Sequence, residues 1–235
     1  MVRKTSRSVT SLVSTAAVSA VLSFAASTAN AALTTYTSQS AYLGAVGATA
    51  VDTFNDLDIE PYDTPFPRTA GDITYVATTG PGNPRAYGAS DDDVDWYLSS
   101  SRRTDAITFD SFGTPVAGAG GFFWGSDIAG YTVFAPYITV TATDSTGATL
   151  TYTITDPVPS SFLGFVSDAT IVSLSVATGD QLGADGYGIW PTVNDLHLSV
   201  AAVPEPGTYA MLLAGLGLLG WTARRRPGRA TSRLA

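Results

Sequence analysis

The chain has 235 residues, a net charge of -8 and no cysteine, yet its ends hold eight of its 12 basic residues, leaving Ala32 to Val203 with four arginines against 19 acidic residues. A stretch with a balance of -15 repels phosphate backbones and anionic lipid, which excludes nucleic-acid binding by the folded part. The missing cysteines exclude disulfides, thiolate metal sites and cysteine nucleophiles.

Residues 1 to 31 fall into a basic start (Met1 to Arg7), an apolar and small-residue run (Leu12 to Ala26) and the tripeptide Ala29-Asn30-Ala31. Small residues at 29 and 31 are what signal peptidase reads, so this segment is expected to be a secretory signal peptide cut between Ala31 and Ala32. The following 32–202 is expected to be one domain. It opens with a short helix over Ser38 to Val46, with Ser38 as N-cap and Tyr42, Leu43 and Val46 at helical spacing.

Thereafter the dominant period is two. Strands are expected at Ala50 to Phe54, Asp72 to Ala77, Ala106 to Phe112, Gly118 to Trp124, Thr170 to Ala177 and Val193 to Val200. Ile138 to Thr143 and Thr149 to Thr155 alternate strictly, and Asp144-Ser145-Thr146-Gly147 between them is turn chemistry, so the two form an antiparallel hairpin. Many short strands with Gly and Pro turns and one minor helix predict an all-β fold, a two-sheet antiparallel β-sandwich of jelly-roll type. No fixed repeat is present.

Two resources for binding stand out. Asp91, Asp92, Asp93 and Asp95 lie beside Trp96 and Tyr97, and four close carboxylates suit either a solvated acidic loop or a hard cation such as calcium. Asp56 and Asp58 belong to a second acidic run and form, with Asp195, an alternative calcium set if the first and last strands lie side by side. The aromatics Trp96, Tyr97, Trp124 and Trp190 lie near strand ends, where planar rings stack on sugar C–H faces while carboxylates take the hydroxyls. Polysaccharide is therefore the expected ligand class.

Catalysis has little to work with. The one histidine, His197, alternates with Ser199 on the face opposite Leu196 and Leu198, which reads as a surface-facing strand residue. No Gly-x-Ser-x-Gly elbow is present, and of only two glutamates one is outside the domain. The expectation is a binding or matrix protein and no enzyme; a secreted glycan hydrolase and a structural coat protein without a small ligand are the alternatives.

At the far end, Val203-Pro204-Glu205-Pro206-Gly207-Thr208 precedes the uncharged run Tyr209 to Ala223 and then Arg224-Arg225-Arg226. Two prolines flanking a glutamate favour extended chain, the apolar run predicts a membrane helix, and the arginines keep its distal end in the cytoplasm. This order resembles the PEP-CTERM sorting signal of Gram-negative bacteria that make exopolysaccharide. The resemblance implies recognition of Pro204, Glu205 and Pro206 by a membrane-embedded exosortase, with Arg224 to Arg226 as the stop and 224–235 as an Arg-rich tail. It also implies an exported protein, held for a time in the inner membrane and destined for the periplasm, outer surface or medium.

Overall fold

A computed structural model describes residues 32–183, 186–200 and 212–220. The signal peptide with Ala29 and Ala31, the Pro204-Glu205-Pro206 element and Arg224 to Arg226 lie outside the described residues. The elements run β1 (Leu33–Tyr36), α1 (Gln39–Val46), β2 (Ala50–Asp52), β3 (Pro61–Asp63), β4 (Phe66–Ala70), β5 (Ile73–Gly80), β6 (Arg85–Ser90) and β7 (Trp96–Ser100). They continue with β8 (Ala106–Asp110), β9 (Val116–Ser126), β10 (Thr132–Val133), β11 (Tyr137–Asp144), β12 (Thr149–Thr155), β13 (Phe162–Ala177) and β14 (Trp190–Ser199).

The all-β antiparallel expectation holds, but two separate sheets are not what forms. One continuous hydrogen-bonded sheet runs β3-β6-β7-β14-β9-β13-β8-β5-β4. The joint is β13, a 16-residue strand where only Thr170 to Ala177 was expected: Phe162 to Val166 pair with β9, and Ser173 to Val176 pair with β8. Leu98, Phe123 and Leu196 from one half share a buried cluster with Tyr75, Ile107, Phe109 and Leu174 from the other, so the sheet curls round one core in a nearly barrel-like way.

The β11–β12 hairpin forms as expected, and its register sets Thr143 opposite Thr149 and Tyr137 opposite Thr155. Its turn is made by Asp144, whose carboxylate accepts from the Thr146 and Ala148 N–H groups, and by Gly147, whose φ of 83° needs no Cβ. Ser38 caps α1, its hydroxyl accepting from the Ala41 N–H at 3.3 Å.

Helix α1 covers the outer face of the sheet. Alternation along β13 sends Leu163 and Phe165 to the main core and Phe162 and Val166 to a second cluster with Tyr42 and Val46. The helix comes this close because Gly164 and Gly118 stand beneath it: a Cβ on Gly164 would collide with the Tyr42 ring. Replacing Gly164 by valine is therefore expected to lift α1 and lower stability by roughly 1–3 kcal/mol, readable as a fall in denaturation midpoint, whereas valine at the open Gly44 of α1 meets no neighbour and replaces a poorer helix former, so it should leave the midpoint unlowered.

The same cover corrects the expectation for His197. It does face away from the leucines, but that face lies under α1, and His197 is only 5% exposed. Its Nε2 meets the Gln39 side-chain amide and its Nδ1 the Thr49 hydroxyl, each at 3.1 Å, while the rings of Tyr42 and Phe162 pack on it. Burial lowers its pKa below the ordinary histidine value, so the imidazole stays neutral and structural.

Residues 212–220 are helical and exposed, within the Tyr209 to Ala223 run. Among the described residues no helix is long and apolar enough to cross a membrane.

Candidate functional site

The β6–β7 hairpin presents Asp91 to Asp95 as its connecting loop, and three of its four carboxylates have separate protein partners. Asp91 accepts from the Thr132 N–H (2.8 Å) and hydroxyl (2.6 Å), which ties the loop to β10. Asp92 turns back on its own loop and accepts from the Val94 and Asp95 N–H groups at 2.9 and 3.0 Å, which holds its carboxyl below the usual carboxylate range. Asp95 reaches across to β14, where both its oxygens take the Asn194 side-chain amide at 3.0 and 3.1 Å.

The structure does not draw either expected calcium set into a group placed to hold a metal. The carboxylates of Asp91, Asp92 and Asp95 each accept from protein donors, and Asp93 is exposed at a left-handed φ of 58°. In the alternative set, β2 does pair with β14, but Asp56 is bound to Arg68, and Asp58 is exposed and offers its N–H to the Tyr62 hydroxyl. Asp195 lines a cavity with Asp91, Asp92 and Asp95, apart from Asp56 and Asp58. Among the described residues no group of three or more His, Cys, Asp or Glu side chains is placed to hold a metal ion.

What the loop does build is a cavity of about 230 Å³. Asp91, Asp92, Asp95 and Asp195 with Asn194 give its polar wall; Tyr97, Phe122, Trp124 and Pro159 give its apolar one. Tyr97 and Trp124, 3% and 2% exposed, meet edge to face at 4.9 Å and form the floor. They are fixed at their polar ends, the Tyr97 hydroxyl donating to the Gly130 carbonyl at 2.6 Å and the Trp124 indole N–H to the Thr132 hydroxyl at 2.9 Å. Thr132 in turn donates to Asp91, so ring, hydroxyl and carboxylate form one chain of bonds.

Asp195 is the member with unusual chemistry. It sits where the β14–β9 register shifts, between the Asn194–Phe122 and His197–Gly120 pairs, at φ 46°. Burial, and then the negative charge of Asp95, raise its pKa. The wall therefore offers a carboxyl that keeps its proton, and its donor ability, to higher pH than a free aspartate.

The four aromatics expected to act together are divided. Tyr97 and Trp124 line this cavity; Trp190 lines another, of about 290 Å³, with Tyr87, Ser99 and Ile128. Trp96 lines neither, because adjacent strand residues point to opposite faces. Phe122, another aromatic of the same strand as Trp124, joins the site, and Pro159 and Asn194 join it unannounced by any local motif.

A third depression, about 450 Å³, adjoins Asp52, Asp56, Arg68 and Tyr75. There the polar groups already satisfy one another: Arg68 binds both aspartates, and the Tyr75 hydroxyl donates to Asp52 at 2.6 Å.

No curated protein matches the chain. The family model of the PEP-CTERM protein-sorting motif matches residues 202–226 and so takes in Pro204, Glu205, Pro206 and the three arginines that follow the apolar run. That motif implies export to the cell surface or beyond and processing by exosortase, and the chain is accordingly a PEP-CTERM sorting domain-containing protein.

Proposed function

We propose that the exported domain binds neutral exopolysaccharide at the cavity between the β6–β7 loop and β14, and so anchors or organises biofilm matrix. The reading rests on one observation: Phe122 and Trp124 share a cavity with Asp95, Asn194 and Asp195, apolar rings beside groups that accept and donate hydrogen bonds. Sugars need that pairing, since each ring has an apolar face and a rim of hydroxyls. At about 230 Å³ the cavity suits one sugar unit of a longer chain. A domain balance of -15 selects against uronic-acid polymers. On this reading signal peptidase removes 1–31, and Tyr209 to Ala223 holds the chain in the inner membrane until exosortase acts.

Electrophoresis of the purified protein through gels containing neutral, amino-sugar or uronic-acid polysaccharide tests it. Retardation by the neutral polymer and none by the uronic one is expected, and Phe122→Ala should weaken it about tenfold, the scale of one lost ring contact of about 1.4 kcal/mol. Retention should also fall as pH rises above the ordinary carboxylate range, when Asp195 loses its proton. Asp195→Asn, a permanent donor that tolerates positive φ, should flatten that dependence. Absence of retardation by every polymer would reject binding, and release of reducing ends would replace it with the hydrolase reading.

A further inference from the structure

We infer that the domain self-associates through β12, two copies pairing antiparallel about a two-fold axis at Tyr152. Among the described strands β12 has only β11 as a hydrogen-bonded neighbour; β1 approaches it without forming a ladder. Its core-side residues are left uncovered, Leu150 and Ile154 half-buried and Tyr152 38% exposed. Sheet edges in stable monomers are normally guarded by charge or proline. The edge strand β3 has Pro61 and Asp63, and the edge strand β4 has Pro67 and Arg68. The seven residues of β12, Thr-Leu-Thr-Tyr-Thr-Ile-Thr, have neither.

That sequence complements itself. Read antiparallel about Tyr152, Thr149 faces Thr155 of the second copy, Leu150 faces Ile154, Thr151 faces Thr153, and Tyr152 faces its own counterpart. Charge agrees with this register: Asp156 meets Ala148 and Asp144 meets Ser160, so no carboxylate of one acidic copy opposes a carboxylate of the other.

The backbone agrees as well. The Asp144 N–H donates to the Ala148 carbonyl at 2.9 Å and the Asp156 N–H to the Pro136 carbonyl at 3.0 Å, in the register that pairs β11 with β12. Even-numbered residues of β12 therefore exchange their bonds with β11, and the N–H and C=O groups of Thr149, Thr151, Thr153 and Thr155 point outward. Pairing about Tyr152 matches odd residues with odd ones, which lets all four threonines bond to the second copy. Tyr152 then falls at a non-bonded pair, the position where facing side chains approach most closely. Core-side Leu150, Tyr152 and Ile154 of each copy extend one apolar stripe across the axis.

Because the chain has no cysteine, a single introduced thiol reports the geometry cleanly. In full-length protein, Tyr152→Cys should oxidise to a covalent dimer, since facing Cα atoms about 4.5 Å apart are within disulfide reach. Thr151→Cys should not, as its counterpart lies a further two residues along, nor should Val172→Cys on β13, which is equally exposed. Sedimentation of the unmodified chain should give twice the monomer mass, and Tyr152→Asp, which sets two carboxylates face to face, should halve it while the monomer still melts cooperatively, at a temperature that no longer depends on protein concentration. A monomeric unmodified chain, crosslinking as fast at 151 or 172 as at 152, or polymers larger than a dimer would each overturn the arrangement. If Tyr152→Asp does not fold, the comparison of the three thiols decides alone.

Discussion

Replacing Arg68 by alanine is expected to cost about 3–5 kcal/mol of folding stability, the scale for breaking a buried ion pair from one side. The guanidinium, its side chain 7% exposed, donates to Asp52 through Nε (2.9 Å) and Nη2 (2.6 Å), and to Asp56 through Nη1 (2.8 Å) and Nη2 (2.7 Å). It lies 5.3 Å from the ring centres of both Phe54 and Phe66. Asp52 is as buried as the arginine, so alanine at 68 leaves a carboxylate in the core with the Tyr75 hydroxyl and the Phe54 N–H as its remaining donors. Burial, and then the Asp52 charge, raise the Tyr75 pKa well above that of a free tyrosine, so it persists as donor.

Two further measurements separate this from simple loss of packing. The double variant Asp52→Asn with Arg68→Met should recover part of the loss, because no unpaired charge remains. Acid dependence should change as well. The hydrogen bond from Arg68 lowers the Asp56 pKa. A lowered folded-state pKa contributes stability that is complete above the unfolded value, about 3.9, and is lost as pH falls through the folded one. The parent chain should therefore lose stability on acidification below about pH 4 more steeply than Arg68→Ala. Parallel acid limbs, or a single variant within about 1 kcal/mol of the parent, would show that the clasp holds nothing together.

The clasp also marks where sequence stops speaking. A hairpin such as β11–β12 is legible because period-two alternation and an Asp–Gly turn are local, and so is α1, whose cap and apolar spacing fit within nine residues. Arg68 finds Asp52 and Asp56 from a short strand preceded by two prolines, in a region with no alternation to read. The one available signal was scarcity, four arginines among 19 acidic residues, which makes each buried cation a candidate tie. For His197 the alternation gave the correct face, but a helix more than 150 residues earlier decided that the face is buried. The site has the same character. Asp95 and Asn194 are 99 positions apart, and the shift that turns Asp195 into the cavity is a property of the β14–β9 pairing, unreadable from either strand alone. Trp96, Tyr97, Trp124 and Trp190 were visible as residues, and their division among surfaces follows from strand order.

Changing Pro204-Glu205-Pro206 to three alanines is expected to abolish processing, leaving full-length chain in the membrane fraction and removing the shortened form from the outer surface and medium. The substitution removes two things that recognition can use. Each proline fixes φ near -65° and disfavours helix in the residue before it. Alanine, the best helix former, allows the helix of 212–220 to propagate back through the segment and hide its backbone. Glu205 is the only acidic side chain after Asp195, on a tail with five arginines. Glu205→Gln removes the charge and leaves both prolines, whereas Pro204→Ala with Pro206→Ala relaxes the backbone and leaves the charge. Comparing the two shows which feature exosortase reads. Because the folded domain ends before this segment, all three variants should melt at the temperature of the parent, so lost processing cannot be blamed on misfolding. The readout is intact mass together with fractionation of cells and medium. Release of the triple-alanine chain at the parent's processed mass would mean that Tyr209 to Ala223 and its arginines suffice, and that the Pro-Glu-Pro element is not what is recognised.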